Sequence, residues 1–198
     1  VWQYFYSNKP LPKFVEHIED NDIGRWSDPN TLNFMAGLEV QYQPIPNIHT
    51  LKEWDNLLDN NTVKEIIEKG KQYNVYKNYL TNKNARKYSL VHFPSDKIKK
   101  AHPDIKNKYV VAVTSGGCPT VSLLGKKIVE TTDCDFCMII NYIVKRKLWV
   151  CSMRSNKADV GTIAKALGGG GHKFAASFSF TTDQMQIDDL FSRMPQNQ

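Results

Sequence analysis

The segment Gly168-Gly169-Gly170-Gly171-His172 is the part of the chain whose residue types most clearly suggest binding chemistry. A glycine loses more backbone freedom on folding than any other residue, so four in a row are costly to order. Without side chains, the amides of Gly169, Gly170 and Gly171 can converge on an anion as a nest, and His172 can donate a further hydrogen bond to a phosphate oxygen. The alternative is a loose turn followed by an incidental histidine, and the glycines alone do not decide between the two.

A second chemical group precedes this segment, in Cys151-Ser152-Met153-Arg154-Ser155 at the end of an expected strand. A guanidinium at a strand end presents a fixed fork to phosphate oxygens and stays charged at any working pH. The alternatives are a surface ion pair for Arg154 and a structural role for His172. The two segments are candidates for an anion site.

Other signals for chemistry are weak. Glycines that follow a helix do not fit a dinucleotide-binding fingerprint, and the Gly-Lys-Ser or Gly-Lys-Thr of a P-loop is absent from them. Cys134 and Cys137 form one CxxC pair without the further ligands of a zinc site, which favours buried thiols for them and for Cys118 and Cys151.

The elements expected to position the anion site follow from periodicity. Phe136–Val144 and Leu148–Ser155 predict two strands joined as an antiparallel hairpin by the basic turn at 145–147. Asp159 should cap a helix, with Gly168 as its left-handed C-cap residue. After the glycines, alternating phenylalanine and serine predict a half-buried strand.

The region before the hairpin should contain a strand, turn and helix unit. Tyr109–Val113 predicts a strand, Pro119 a first helical residue, and Tyr88, Leu90 and His92 an earlier strand. A short helix around Met185, Leu190 and Phe191 should close the chain.

The N-terminal part of the chain is predicted to be helical. Thr62 and Glu65 form a capping box that predicts a long helix to about Leu80, interpreted as a connector between two lobes. Trp2–Tyr6 resembles the end of a buried helix, which suggests that the chain begins within a domain. A loop is expected at Pro44 and Pro46.

With these elements in place, the two segments are similar to a known pattern. The S-x-R-S of residues 152–155, a helix, and then GGGGHKFAAS resemble the DHH-associated domain of DHH-family phosphoesterases over residues 86–180. That family includes RecJ-like exonucleases, oligoribonucleases, cyclic-nucleotide phosphodiesterases and pyrophosphatases. Residues 2–26, with Ile18-Glu19-Asp20-Asn21-Asp22, resemble the end of the catalytic domain in the oligoribonuclease-like branch. Asn21, Gly24 and Ser177 depart from the usual residues.

The resemblance implies roles for matching positions. Arg154, Ser155 and His172, with the amides of residues 169–171, would bind substrate phosphate. The family hydrolyses phosphoesters with two divalent ions, manganese or magnesium, held by an Asp-x-Asp, a further Asp and an Asp-His-His. Of these ligands, only the last aspartate has a counterpart here, Asp22 or Asp20, and the alternative is that one or both of these merely cap a turn. One aspartate cannot hold the metal pair, so this chain alone is not expected to be active.

The whole sequence predicts an α/β fold. Residues 1–58 would be a helical remnant of the catalytic domain, 59–85 a connector helix, and 86–198 a substrate-binding domain with a roughly five-stranded mixed sheet and flanking helices. The formal net charge of +6 favours anionic partners. Expected partners are a short oligonucleotide or nucleotide, the catalytic domain and a second copy in a homodimer, in an intracellular compartment with no membrane contact. The rival interpretation is a non-catalytic nucleotide- or RNA-binding module, or a structural subunit, that kept the fold and lost the metal centre.

Overall fold

The computed structural model of the chain describes residues 2–42, 50–116 and 120–194. The chain divides into two compact units, Val1–Tyr79 and Leu80–Gln198. The expected loop at Pro44 and Pro46, and the roles expected of Cys118 and Pro119, lie outside the described residues.

The first unit is helical. Its helices are α1 (Trp2–Phe5), α2 (Lys13–Asp22), α3 (Thr31–Gln41), α4 (Leu51–Asp55), a 3₁₀ turn at Asn56–Leu58, and most of α5 (Asn60–Asn84). Phe34, Leu57 and Ile66 form the centre of its core and are at most 2% exposed. The expected burial of the first helix is wrong, because Tyr4 and Phe5 are 85% and 70% exposed.

Helices α3 and α5 approach each other through glycines. A Cβ on Gly70 would overlap the backbone carbonyl of Asn33, and a Cβ on Gly37 would overlap the carbonyl of Ile66. The backbones touch because neither position carries a side chain.

Helix α5 begins earlier than its sequence pattern predicts. The helix starts at Asn60, and the carboxylate of Asp59 accepts hydrogen bonds from the backbone N–H of Asn61 (3.1 Å) and the hydroxyl of Thr62 (3.4 Å). An aspartate before the first turn accepts its unpaired N–H groups as well as a threonine would. The capping box predicted at Thr62 is therefore wrong, whereas the long helix is confirmed.

The second unit is built on a mixed sheet. Its seven strands are β1 (Ser89–Phe93), β2 (Tyr109–Ser115), β3 (Phe136–Ile143), β4 (Leu148–Arg154), β5 (Gly170–His172), β6 (Ala175–Thr181) and β7 (Ser192–Arg193). The order is β5-β6-β4-β3-β2-β1-β7, and only β2 and β3 are parallel. The α/β class is confirmed. The count exceeds the expected five because β5 and β7 add two short edge strands.

Helices cover parts of both faces of this sheet. On one face, α7 (Val121–Thr131) packs Leu124 and Ile128 against Ala112, Cys137 and Ile139. On the other face, α8 (Val160–Ala166) and α6 (Asp96–Ala101) enclose a larger core that contains the side chains of Met153 and Phe178. Successive side chains of β4 thus point alternately to the two faces, and this alternation decides on which face each candidate residue lies.

Two local predictions around the site are confirmed. Strands β3 and β4 pair as an antiparallel hairpin. The carboxylate of Asp159 accepts a hydrogen bond from the N–H of Thr162 (3.0 Å), and Gly168 ends the helix with a φ of 78°. The predicted closing helix is a 3₁₀ turn, Ile187–Leu190, which leads into β7.

Cys134, Cys137 and Cys151 are free and buried. Burial raises the pKa of the Cys137 and Cys151 thiols to about 12, so both are protonated near neutral pH. In the part of the chain that the structure describes, no helix is long and apolar enough to cross a membrane.

Candidate functional site

The candidate site lies on the α7 face of the sheet, over β4, β6 and β5. Arg154 stands opposite Ala175 on β6, which in turn stands opposite His172 on β5. Directly paired residues of antiparallel strands point to the same face, so Arg154 and His172 share a face with only a small alanine between them. The next row on this face contains Ser152, Ser177 and Gly170.

These residues surround a shallow pocket of about 210 Å³. It is lined by Ser152, Arg154, Gly170, Gly171, Ala175, Ala176 and Ser177. Arg154 is the only charged residue of this lining, so the pocket suits an anion.

Hydrogen bonds hold the Arg154 guanidinium in place. Its Nη1 donates to the carbonyl of Met153 and its Nη2 to the hydroxyl of Ser122 in the first turn of α7, both at 2.8 Å. A guanidinium has five N–H donors, so about three are left for a ligand. Burial lowers the pKa of Arg154, but an arginine still remains charged. The site therefore presents a positively charged guanidinium in a fixed orientation.

Different structural constraints act on the four glycines at positions 168–171. Gly168 and Gly171 have φ values of 78° and 141°, which side chains rarely adopt. A Cβ on Gly169 would overlap the carbonyl of Ser177. Gly170 has neither constraint, because nothing lies within 4 Å of the position a Cβ would take. Backbone conformation or packing thus accounts for three of the glycines, and neither accounts for Gly170, which faces the pocket.

The backbone of the run differs from the nest that the sequence suggests. The Gly169 N–H donates to the carbonyl of Ala164 (2.8 Å) within the fold. Gly170–His172 forms an edge strand, where successive N–H groups point alternately toward the neighbouring strand and away from it. The amides therefore cannot all converge on one anion. The His172 side chain is exposed beside the pocket.

Ser155 is placed differently from Arg154. Its hydroxyl donates to the carbonyl of Asp135 (2.9 Å) and accepts from the N–H groups of Lys157 (3.0 Å) and Ala158 (2.8 Å). Ser155 is buried, 8% exposed. Its hydroxyl closes the turn between β4 and α8, and a contact with substrate stays a prediction.

Asp20, one of the two candidate metal ligands, is buried in the first unit. Its carboxylate accepts from Arg25, from the N–H and hydroxyl of Ser27, from the N–H of Asp28 and from the hydroxyl of Thr31. Burial alone would raise the pKa of Asp20, but hydrogen bonds from Thr31, Ser27 and Arg25 outweigh it and hold that pKa well below its ordinary value. These five bonds use the lone pairs that a metal would need.

The second candidate, Asp22, is exposed at the end of α2. Among the described residues, no three His, Cys, Asp or Glu side chains are grouped so that they could hold a metal ion. Within the described residues the donor set does not fit a two-metal centre, and the metal expected for the complete parent stays a prediction.

The structure adds three residues to the predicted site: Ser152, Ser177 and Ser122. Strand alternation could have revealed Ser152, because it lies two residues before Arg154 and so points to the same face. Ser177 and Ser122 depend on the pairing of β6 with β4 and on the packing of α7, which no local pattern encodes.

Comparisons with known proteins give distant matches. No family model matches the chain. Uncharacterized protein R106 of Acanthamoeba polyphaga mimivirus is 26% identical over 184 residues, which are 91% of this chain and 40% of that protein. The chain therefore spans about two fifths of the length of this relative.

Two solved structures are also similar. A pGpG-specific phosphodiesterase, PggH, of Vibrio cholerae matches 92% of this chain and 66% of its own, with a TM-score of 0.48 and 13% identity. An uncharacterized protein of Helicobacter pylori G27 matches 80% of this chain and 41% of its own, with a TM-score of 0.34 and 16% identity. At these scores neither match assigns an activity to this chain.

Proposed function

We propose that the second unit binds substrate phosphate for a metal-dependent phosphoesterase that hydrolyses short oligonucleotides or nucleotides. The observation that carries the proposal is Gly170. Neither its backbone conformation nor a neighbouring atom requires a glycine, yet it faces the pocket that contains Arg154. An open backbone opposite an oriented guanidinium suits a phosphate that approaches closely from solvent.

Each polar residue at the pocket has its own role in binding the phosphate. The free N–H groups of Arg154 bind two oxygens of one phosphate, since the Ser122 and Met153 contacts already fix its plane. The hydroxyls of Ser152 and Ser177 donate to phosphate or sugar oxygens on the same face. His172, two strands from Arg154, binds the phosphate from the opposite side.

In this function the metal ions would be held by a catalytic domain with its own aspartates and histidines. In the family that the chain resembles, such ions activate the attacking water. The residues of this chain bind and orient the phosphate.

Binding is tested by isothermal titration of the chain with a 5′-phosphorylated RNA dinucleotide. Gly170→Ala should keep the wild-type melting temperature but weaken binding by roughly tenfold or more, about 1.4 kcal/mol. Arg154→Ala should weaken dinucleotide binding by about 10- to 150-fold, because it removes a charge-assisted hydrogen bond to the phosphate. The control is Arg146→Ala, which removes one positive charge from the β3–β4 turn and should bind as wild type. Wild-type affinity in Gly170→Ala would remove the basis of the proposal.

Activity is tested in the full-length protein with manganese and short oligonucleotides. The double variant Arg154→Ala, His172→Ala should lose hydrolysis, and full activity in it would reject both roles. A full-length protein that binds the dinucleotide through Arg154 but hydrolyses nothing with manganese or magnesium would be the non-catalytic module.

A further inference from the structure

A second cavity in the same unit lies apart from the Arg154 pocket. It is an open basin of about 710 Å³, within the size range of small-ligand sites. Its polar lining consists of Asn82, Arg86, Tyr88, Lys127, Thr131 and Thr132. Every one of these side chains carries a hydrogen-bond donor, two carry a full positive charge, and none is acidic.

The two cations of this basin are not paired with any acidic residue that the structure describes. Among the described residues, no carboxylate lies within ion-pair distance of Arg86 or Lys127, although Lys127 is half-buried. The acidic residues that flank the end of α7 face other cations: Glu130 is 3.9 Å from Lys126 and Asp133 is 3.1 Å from Lys157. Two cations that no acidic residue of the described chain pairs with favour an anionic ligand.

The floor and the rim of the basin are held in place by the fold. Ala85 is 6% exposed and packs in the core cluster that contains Ile128. The next turn, which carries Arg86, is fixed by a hydrogen bond from the Lys87 N–H to the Asn84 carbonyl (2.9 Å) and by one from the Thr114 hydroxyl to the Lys87 carbonyl. A ligand would therefore meet Arg86 on an ordered backbone.

Helix ends near the basin do not cancel this charge. Helices α5 and α7 end close to it, at Asn84 and Thr131, and a helix C-terminus carries about half a negative elementary charge. Two such ends amount to roughly one negative charge against the two positive charges of Arg86 and Lys127. The net charge of these groups therefore stays positive.

The segment that contributes Asn82, Arg86 and Tyr88 to the basin contains no acidic residue. Residues 80–95 contain three lysines or arginines, one tyrosine and no aspartate or glutamate. Tyr88 lines the basin and is 36% exposed. Aromatic rings among cations are typical of single-strand nucleic-acid binding, where bases stack on the rings and cations track the phosphates.

We propose that this basin binds the phosphodiester backbone of a single-stranded oligonucleotide, with Tyr88 as a stacking surface for a base. The choice of nucleic acid as the ligand rests on the proposed function, whereas the existence of an anion site does not. Ser122, which anchors Arg154, and Thr131 are nine residues apart on α7, so roughly 13 Å of helix separates the two sites. A dinucleotide has one internal phosphodiester and does not fill both. The basin would therefore give the protein affinity for longer strands.

The test is fluorescence anisotropy of a labelled 12-nucleotide RNA across a series of potassium chloride concentrations. The double variant Arg86→Ala, Lys127→Ala should bind the RNA roughly tenfold more weakly, and its log–log salt slope should be shallower by about 1.4, since each lost phosphate contact removes about 0.7. Its affinity for the dinucleotide should stay within about twofold of wild type, because the Arg154 pocket is intact. Tyr88→Leu should weaken RNA binding by about fivefold or more without changing the salt slope.

The matched control removes the same charge elsewhere. Lys145→Ala, Arg146→Ala changes the β3–β4 turn and should keep the wild-type slope. An Arg86, Lys127 double variant with wild-type affinity and slope would overturn the proposal, as would wild-type RNA binding together with Arg86-dependent binding to anionic lipid vesicles. A chain that binds the 12-nucleotide RNA through Arg86 and Lys127 but shows no dinucleotide binding would support the basin and reject the function proposed for Arg154.

Discussion

Gly125 provides a way to move Arg154 without removing its charge. This glycine lies on α7, facing the stem of Arg154, and a Cβ built on it would be 2.6 Å from the Arg154 Cγ and 2.9 Å from its Cβ. Both atoms lie next to the backbone of β4, so they cannot swing aside as the end of a flexible side chain could. In Gly125→Ala, either α7 must shift outward or Arg154 must change its rotamer.

Two effects on stability oppose each other in this variant. Alanine is favoured over glycine inside a helix by about 1 kcal/mol, whereas overpacking a well-filled site costs about 1 to 3 kcal/mol. The net change should be a loss of roughly 0 to 2 kcal/mol. The variant should therefore fold and melt only a few degrees below wild type.

Phosphate binding should change more than stability. A displaced Arg154 loses its bond to Ser122 (2.8 Å) and the alignment of its free N–H groups with the pocket. The loss of one charge-assisted hydrogen bond costs about 1.5 to 3 kcal/mol, which corresponds to a roughly 10- to 150-fold larger dissociation constant.

The assay is titration with the phosphorylated dinucleotide, beside a thermal melt of the same sample. Ser122→Ala separates the two causes, since it removes the anchor without crowding α7 and should weaken binding by less. Gly125→Ala with wild-type affinity and a raised melting temperature would refute the reasoning, because it would show that Arg154 needs no fixed orientation.

Four further predictions concern stability and reactivity. Asp20→Asn should be less stable than wild type at pH 7, and the difference should shrink below about pH 4 in urea melts, because a carboxylate whose folded pKa is depressed stabilises fully above its unfolded pKa and loses this contribution as the pH falls toward its folded pKa. Gly70→Ala should lose more than about 3 kcal/mol in the same melts, because its Cβ would overlap the backbone of Asn33, which cannot move aside. Ser155→Ala should lose about 1 to 3 kcal/mol, because its hydroxyl makes three buried hydrogen bonds; an unchanged melt would mean that water replaces them. Cys137 and Cys151 should react with a thiol reagent at pH 8 only after unfolding, because burial raises their pKa values to about 12.

Elements with strong local patterns were predictable from the sequence. The β3–β4 hairpin follows from two apolar runs and a basic turn, and the Asp159 cap and Gly168 end of α8 follow from side-chain chemistry and glycine's tolerance of a positive φ. In each case the deciding interaction joins residues close together in the chain, so a single-sequence pattern contains it.

Elements that depend on distant partners were not predictable. The short strand β7 exists because Ser192 and Arg193 meet β1, a hundred residues earlier. The glycine run forms an edge strand because β6 is available to pair with it, and an isolated run gives no sign of this. The expected burial of the first helix failed for the opposite reason, since aromatic composition does not say whether a partner surface covers Tyr4 and Phe5.

The Arg154 pocket illustrates how one site combines both kinds of information. The positions of Arg154 and the glycines can be recognised in the sequence, but the reason that Gly170 stands out is geometric: Gly168, Gly169 and Gly171 each satisfy a constraint of the fold, and Gly170 satisfies none. A residue that folding does not require, at a place where a ligand can reach the backbone, is better explained by binding than by stability. Similar reasoning applies to Lys127, since it lines a basin in which no acidic residue of the described chain pairs with it, and a ligand could supply the counter-charge.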